Sequence, residues 1–310
     1  MKALVTGGAG FIGSNVVDGL LAAGHEVAVL DDLSTGTRDN LPAEATLHEA
    51  DVADVAAVAA VFAEERPEVV FHLAAHIDVR VSVEDPLRDS AINVGGTINV
   101  LRAALEHGAR RVVLSSTGGA IYGETELIPT REDAPIRPLA PYGQSKFSAE
   151  GYCALFTRLH GLSTISLRYA NVYGPRQDPL GEGGVVAIFC GCLSSGATPR
   201  IFGDGLQTRD YVFVGDVVRA NLLAAASDAT EPVNIGSGVE TTVLQLADEL
   251  RALGDGERPF EPLHEPARAG EVLRSALDAT RAGELLGWRA EVGLAEGLRT
   301  TLAHVAAGAR

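Results

Sequence analysis

The chain has 310 residues, of which 46% are hydrophobic and 21% are charged, and its formal net charge is −16. This length can bury a large core in one domain or in two closely packed domains. The negative charge argues against nucleic acids and anionic membrane surfaces as partners, because both repel an acidic protein. An anionic ligand would therefore need a local group of arginines.

No apolar run approaches the ~20 residues that a membrane-spanning helix requires, and the first residues enter a strand pattern without a cleavable leader. We therefore expect a cytoplasmic protein that does not enter the membrane. The cysteines are Cys153, Cys190 and Cys192, and the spacing of the last two is wrong for a usual zinc knuckle. We interpret all three as small core residues and predict no metal site.

A glycine-rich segment follows the first predicted strand, residues 2–6. Gly8, Gly10 and Gly13 fit the spacing G-x-G-x-x-G, and the alternative frame G-x-x-G-x-x-G begins at Gly7. Both frames supply a tight turn, a backbone that can approach a pyrophosphate, and a helix N-terminus with free N–H groups. Because the segment follows a strand and opens a helical pattern, it predicts dinucleotide binding.

Acidic residues follow the next two predicted strands. Asp31, about twenty residues beyond the glycines, is placed to accept hydrogen bonds from an adenosine ribose, and it would repel a 2′-phosphate. The pattern therefore favours NAD over NADP. Asp51 and Val52 follow the strand predicted at residues 46–49. Asp51 could meet the adenine, or it could cap the helix predicted at residues 55–65.

Further strands are predicted at residues 69–73, 111–116 and 163–169, with helical patterns between them, including one at residues 85–106 that contains Asn93. This alternation predicts an α/β fold with a doubly wound parallel sheet, whose ligands bind beyond the carboxyl ends of the strands. The small residues that follow the first of these strands would let backbone approach a cofactor. We interpret His72, at the end of that strand, as a core histidine with satisfied hydrogen bonds.

Ser115, Ser116 and Thr117 lie at the carboxyl end of the fifth predicted strand, where a hydroxyl could bond a substrate oxygen or cap a turn. The regular alternation stops after the sixth strand. We therefore expect two parts, which are a dinucleotide-binding domain at residues 1–167 and a smaller lobe at 168–310. Segments near 211–236 are expected to return from the lobe to the first domain.

Tyr142 and Lys146 are four residues apart in a helical pattern, so their side chains share one helix face. A nearby positive charge favours the phenolate, and we expect it to lower the pKa of Tyr142 from its usual value of about 10. A Tyr-x-x-x-Lys pair occurs by chance in many helices. Beside a dinucleotide site, the same pair predicts a catalytic base.

Together, the glycine loop, Asp31, Ser115-Ser116-Thr117, Tyr142-x-x-x-Lys146 and Arg168-Tyr169-Ala170-Asn171 resemble the extended short-chain dehydrogenase/reductase superfamily. More narrowly, the chain resembles the UDP-glucose (UDP-galactose) 4-epimerases over essentially its whole length. The resemblance implies a Rossmann domain that binds NAD and a lobe that binds the nucleotide sugar. It also implies a homodimer formed through the helices near residues 85–106 and 142–160.

The resemblance implies that Tyr142 takes the proton of the sugar 4-hydroxyl while NAD accepts the hydride, and that Thr117 hydrogen-bonds the 4-oxygen. Lys146 would bond the nicotinamide ribose. The 4-keto sugar would turn over and receive the hydride on its opposite face. The implied cofactor contacts are Gly7, Gly10, Phe11, Ile12, Gly13, Asp31, Asp51, Val52, Leu73, Ala74, Ala75, Asn93, Ser115, Tyr142, Lys146 and Tyr169. The implied substrate contacts are Thr117, Tyr142, Asn171, Val185, Val186, Phe202, Arg209, Arg268 and Glu271.

Four alternatives follow from the same motifs. A dehydratase is disfavoured because Gly118-Gly119, rather than an Asp-Glu pair, follows Thr117. A nucleotide-sugar 4-ketoreductase could use the same tyrosine and lysine and release its cofactor at each turnover. The substrate could also be a UDP-N-acetylhexosamine or a UDP-uronate. A protein that binds NAD without catalysis is disfavoured, since the Tyr/Lys pair and the threonine are all present.

Overall fold

The structure, a computed structural model, describes residues 1–179, 184–254, 260–267 and 272–308. The strands among these residues are β1 Lys2–Thr6, β2 Glu26–Asp31, β3 Thr46–Glu49, β4 Val69–His72, β5 Arg111–Thr117, β6 Ser163–Tyr169, β7 Asn171–Tyr173, β8 Arg200–Phe202, β9 Thr208–Arg209, β10 Tyr211–Phe213, β11 Val233–Ile235, β12 Thr241–Thr242 and β13 Leu263–Glu265. The helices are α1 Phe11–Ala22, α2 Val55–Glu65, α3 Val79–Glu84, α4 Pro86–Ser90, α5 Thr97–Glu106, α6 Gly118–Ile121, α7 Pro141–His160, α8 Val185–Ser195, α9 Val214–Ala226, α10 Val243–Leu253, α11 Thr280–Leu286 and α12 Leu294–Gly308.

A seven-stranded sheet has the order β11-β6-β5-β4-β1-β2-β3, and every pair of neighbouring strands in it is parallel. The strand order reverses between β1 and β4, and this is where a doubly wound sheet opens a crevice for ligands. Thr6, Asp31, His72, Thr117 and Tyr169 end neighbouring strands at the same edge. The predicted doubly wound α/β fold is confirmed.

The sheet is covered on both faces, so its central strands are apolar on both sides. Helices α1, α9 and α11 pack on one face, and helices α2, α5 and α7 pack on the other. A third apolar cluster joins α8, α10 and α12, which lie within the predicted smaller lobe. The segment containing α9 and β11 lies in the sheet layer, because β11 pairs with β6 and α9 packs on α1.

Two local features differ from the sequence interpretation. Helix α2 is capped by Asp54, whose carboxylate accepts hydrogen bonds from the amides of Ala56 and Ala57. The alternative role of Asp51 as that cap is therefore wrong, and Asp51 instead accepts a bond from the amide of Ala53 at 2.8 Å. The helical stretch predicted at residues 85–106 contains a π-helical turn, Ala91–Gly96, between α4 and α5.

None of the helices in the described residues is long and apolar enough to cross a membrane.

His72 is buried, and both of its ring nitrogens have hydroxyl partners. Nδ1 lies 2.7 Å from the Thr6 hydroxyl, and Nε2 lies 3.0 Å from the Thr97 hydroxyl. The interpretation of His72 as a satisfied core histidine is thus confirmed. Burial, together with the charge of Lys146, lowers the pKa of His72 from 6.5 to about 3.

This lowered pKa makes the free energy of unfolding depend on pH. Below pH 6.5 the unfolded chain binds a proton at this position that the folded protein excludes. As the pH falls from 6.5 to 3, we therefore expect His72 to lower the free energy of unfolding by about 1.4 kcal/mol for each pH unit. Urea unfolding at several pH values should give a shallower decline for His72→Gln. His304→Gln, at an exposed histidine, is the control and should keep the wild-type slope.

Candidate functional site

The loop between β1 and α1 is a cradle that only glycine can form. Gly7 adopts φ +70°, and a Cβ on it would lie 2.5 Å from the amide nitrogen of Ala74. A Cβ on Gly13 would overlap the carbonyl oxygen of Gly7. Gly10 is the N-cap of α1, so the amides of the following residues, Phe11, Ile12 and Gly13, begin the helix without intrahelical partners. This cradle fits a dinucleotide pyrophosphate.

Asp31 lies beside this cradle at the end of β2. Its carboxylate accepts hydrogen bonds from the amides of Ala9 and Leu33, both at 2.9 Å. Burial raises the pKa of Asp31, and the two amides oppose that rise by stabilising the carboxylate. Asp31 therefore shapes the glycine loop, and the remaining lone pairs of its oxygens are the acceptors that a ribose would use.

The other predicted cofactor residues lie along the same edge of the sheet. Residues 73–75 follow β4, and the amide of Ala74 donates to the Thr6 hydroxyl at 3.2 Å. Val52 is buried, and its carbonyl accepts a bond from the Asn99 amide at 3.0 Å. Asp51 is exposed. Adenine and ribose contacts at these positions remain predictions.

The predicted catalytic groups come from β5 and α7. Helix α7 begins at Pro141, whose fixed φ suits the first helical position, so Tyr142 lies in the first turn. Lys146 follows one turn later and is 3% exposed. The Thr117 hydroxyl, at the end of β5, hydrogen-bonds the Tyr142 phenol. The structure thus brings Thr117 and Tyr142 into contact, as the reaction predicted from the sequence requires.

Burial controls the acidity of this pair. It raises the pKa of Tyr142 to about 12, while the hydrogen bond with Thr117 lowers it and the charge of Asp89 raises it. Burial also lowers the pKa of Lys146 to about 8, against the opposing charge of Glu150. The expectation that Lys146 brings the tyrosine pKa below its usual value is therefore wrong for the polypeptide alone.

A buried polar cluster underlies the turn between Tyr142 and Lys146. The Ser145 hydroxyl donates to Asp89 Oδ2 at 2.6 Å, and Asn93 Nδ2 donates to Asp89 Oδ1 at 3.0 Å. The Asn93 side chain also bonds the backbone N–H and carbonyl of His76, both at 2.9 Å. Asn93, a predicted cofactor contact, thus holds the chain that continues from residues 73–75.

Glu150 connects α7, the helix that carries Tyr142 and Lys146, to two strands. Its carboxylate accepts the Ser116 hydroxyl at 2.5 Å and pairs with Arg168 Nη2 at 2.7 Å. Both members of the pair are buried. Glu150 lies one turn beyond Lys146, a four-residue spacing that is visible in the sequence although its role was not predicted. Asp89 has the same four-residue spacing to Asn93, but its contact with Ser145 joins segments that are far apart in the chain and gave no local signal.

Ser115 and Tyr169, two other predicted cofactor contacts, hydrogen-bond each other through their hydroxyls. Asn221 Nδ2 on α9 donates to the Tyr169 hydroxyl at 2.8 Å. Burial raises the pKa of Tyr169. Their contact with NAD remains a prediction.

The predicted substrate residues are spread over several elements. Asn171 opens β7, and its side-chain oxygen lies near Gly119, close to Thr117. Val185 and Val186 begin α8, and Phe202 ends β8. Arg209 lies in β9, and its Nη1 donates to the carbonyl of Thr208 at 2.8 Å. Arg268 and Glu271 lie outside the described residues.

One side-chain group among the described residues has the spacing of metal ligands, namely His48, Glu64 and Glu65. The Glu65 carboxylate already binds His48 at 2.5 Å and Lys2 at 2.8 Å. This group lies at the opposite end of the sheet layer from the glycine cradle, since Lys2 begins β1. It has no part in the site described above.

The fold and the site define a Rossmann-type protein that has a glycine cradle and a Tyr/Lys/Thr set at the same sheet edge. Comparison with known proteins agrees. The model of the NAD dependent epimerase/dehydratase family matches residues 3–236. A UDP-glucose 4-epimerase of Mycolicibacterium smegmatis is 47% identical over 308 residues, or 97% of each chain.

Two solved structures show the same similarity. A UDP-glucose 4-epimerase of Thermotoga maritima, crystallised with UDP-glucose, has a TM-score of 0.97 and 47% identity and covers 100% of both chains. A UDP-glucose 4-epimerase of Thermus thermophilus in complex with NAD has a TM-score of 0.93 and 43% identity, and the match covers 98% of this chain and 99% of that one. The chain therefore belongs to the NAD dependent epimerase/dehydratase family, and the predicted superfamily and NAD cofactor are confirmed.

The cradle predicts the effect of one added methyl group. In Gly13→Ala the new Cβ would overlap the Gly7 carbonyl oxygen, so the loop must open. We expect the purified variant to lose most of its bound NAD, measured in the supernatant after denaturation, and to melt at a lower temperature.

The matched control is Gly283→Ala on α11, where the nearest atom to a new Cβ is the Trp288 carbonyl oxygen at 3.7 Å. This variant should keep the wild-type NAD content. Wild-type NAD content in Gly13→Ala would show that the cradle is not the cofactor site.

Proposed function

We propose that the protein is an NAD-dependent 4-epimerase that interconverts UDP-glucose and UDP-galactose through a 4-keto intermediate. The observation that carries this proposal is the contact between Thr117 and Tyr142, with Lys146 one turn away, at the sheet edge that holds the glycine cradle. Relatives with 47% and 43% identity that are named UDP-glucose 4-epimerases support the same activity.

The cradle of β1 and α1, Asp31 and residues 73–75 would hold the dinucleotide. Bound NAD supplies a positively charged hydride acceptor, which takes the C4 hydride of the sugar and later returns it. Tyr142 accepts the proton of the 4-hydroxyl as the carbonyl forms, and gives it back when the hydride returns to the opposite face. The reaction therefore inverts C4 with no net oxidation.

The protein environment sets how Tyr142 can act as a base. With a pKa raised to about 12, the phenol is protonated at neutral pH in the polypeptide alone. Lys146 is positively charged below its pKa of about 8, and its charge stabilises a phenolate on the same helix face. Thr117 donates to the oxygen that carries the developing charge. Deprotonation of Tyr142 thus needs a second positive charge nearby, which bound NAD would supply. Tyr142 would then become a base only in the protein that holds its cofactor.

The smaller lobe would hold the rest of the substrate. Asn171 lies near the threonine end of the site, and Arg209 offers a guanidinium suited to a diphosphate. Val185, Val186 and Phe202 are proposed for the uridine, and Arg268 with Glu271 for phosphate and ribose. We accordingly propose that residues 1–167 form the NAD-binding domain and that residues 168–310 mainly bind the nucleotide sugar.

The direct test uses the purified protein without added cofactor. Incubation with UDP-glucose should give UDP-galactose, followed by proton NMR, and the denatured protein should release NAD. If NAD is retained but product forms only from a UDP-N-acetylhexosamine or a UDP-uronate, the mechanism would stand and the substrate would be that sugar nucleotide. Release of the cofactor at each turnover, with NADH oxidation on a 4-keto sugar, would instead identify a ketoreductase.

Tyr142→Phe removes the proton acceptor and keeps the ring that fills the site. We expect epimerisation to fall by about 100-fold or more, because a positioned general base contributes on the order of 10² to 10⁴. The retained NAD should be unchanged, which separates loss of chemistry from loss of the cofactor. Wild-type turnover in this variant would overturn the assignment of Tyr142.

We further propose that the protein is a homodimer formed through α4, α5 and α7. Leu87 on α4 is 82% exposed, and Phe147 on α7 is 37% exposed. These two helices pack against each other, so their outer faces are available together to a second copy. A paired interface would bury apolar side chains that a monomer leaves in water.

The double variant Leu87→Asp/Phe147→Asp places charges on that surface. We expect light scattering to give twice the 32.3 kDa chain mass for the wild type and the single mass for the variant. Leu285→Asp, on α11 and 39% exposed, is the control and should remain dimeric. A monomeric wild type at micromolar concentration would contradict the proposal.

A further inference from the structure

Gly119 lies between the two groups that the proposed reaction places at opposite ends of the sugar. A Cβ built on Gly119 would point into a partly exposed space, with the Asn171 side-chain oxygen at 3.7 Å and the Thr117 hydroxyl at 4.0 Å as its nearest neighbours. Both distances are ordinary van der Waals separations. The free protein therefore has room for a methyl group at this position, and the glycine is not required by its own packing.

The backbone that carries Gly119 is held tightly from both sides. A Cβ on the preceding residue, Gly118, would overlap the Leu277 side chain. On the other side, a Cβ on Gly143 of α7 would lie 2.5 Å from the carbonyl oxygen of Ala120. The Ile121 side chain that follows is fully buried. Helix α6 is thus clamped between the Leu277 segment and the catalytic helix, so it cannot retreat from a group in the cleft.

The proposed reaction needs more room than substrate binding alone. Thr117 bonds the 4-oxygen, and Asn171 is proposed for the diphosphate on C1, so the pyranose ring spans the gap in front of Gly119. In either end position the ring lies with one face toward the hydride acceptor. Between the two hydride transfers the 4-keto ring turns over, and it passes through edge-on orientations that sweep a larger volume than either end position.

We propose that Gly119 provides the clearance in which the 4-keto sugar turns over. This inference rests on the proposed 4-epimerase function and makes Gly119 a determinant of epimerisation as distinct from oxidation of the sugar. A side chain at position 119, on a helix that cannot move away, obstructs the turning ring and leaves the first transfer intact. In that first transfer, the C4 hydride with its two electrons passes to NAD, and the O4 proton passes to Tyr142. If the ring does not turn, the hydride returns to the face of C4 that it left and the proton returns to O4, which regenerates the starting sugar.

The experiment compares two readouts in Gly119→Ala and in the wild type, each purified with its retained NAD. The first readout is the near-ultraviolet absorbance of reduced nicotinamide after addition of UDP-glucose, which reports the first hydride transfer. The second readout is UDP-galactose formation by proton NMR. We expect reduced nicotinamide to form as in the wild type, while epimerisation falls by about tenfold or more, the scale of one misplaced methyl group in a pocket. Gly119→Ser, with a larger side chain, should reduce epimerisation further.

Gly283→Ala serves as the matched control, because it adds the same methyl group at an exposed position of α11 and should keep both readouts. Unchanged epimerisation in Gly119→Ala would overturn the proposal, as would equal loss of both readouts. Loss of retained NAD or a lower melting temperature would also overturn it, since the free protein would then lack the inferred room. A wild type that forms no UDP-galactose would instead refute the proposed function itself.

Discussion

The buried ion pair between Glu150 and Arg168 is the interaction on which the geometry of the site depends. Glu150 belongs to the helix that carries Tyr142 and Lys146, and Arg168 belongs to β6. The same carboxylate accepts the hydroxyl of Ser116, the neighbour of Thr117. Loss of one partner would leave an uncompensated buried charge, at a cost of about 3–5 kcal/mol. One carboxylate thus fixes the threonine strand relative to the tyrosine helix.

The network continues behind Arg168 and explains why this charge can be buried at all. Arg168 Nη1 donates to the Tyr122 hydroxyl at 2.8 Å, and that hydroxyl donates to Asn234 on β11 at 2.9 Å. Every member has a hydrogen-bond partner, which is the condition under which buried polar groups do not destabilise a fold. Helix α7 is therefore connected by hydrogen bonds through β5 and β6 to β11, the edge strand of the sheet.

The sequence predicted those features that depend on local patterns. The glycine spacing, the strand-end position of Asp31 and the four-residue spacing of Tyr142 and Lys146 are each set within one or two elements. Features that depend on contacts between distant segments could not be predicted from these local patterns. The raised pKa of Tyr142 comes from burial, which no local pattern encodes, and the roles of Asp89 and Gly119 follow from segments far apart in the chain. The cap of α2 was a local question, but the sequence interpretation considered only Asp51, whereas the cap is Asp54, three residues later.

The segment after α11 is anchored to the sheet layer by hydrogen bonds. Trp288 is buried against the sheet layer, and its indole donates to the carbonyl of Asp216 at 2.9 Å. The Asp216 carboxylate then accepts hydrogen bonds from the amides of Glu291 and Val292, both at 3.0 Å, just before α12, which packs with α8 and α10. The chain is anchored to the sheet layer before this last crossing, as it is at β6 and β11 before the earlier ones. Several short, anchored crossings resist the wide hinge opening that a single linker permits, so α12 keeps a fixed position relative to the sheet.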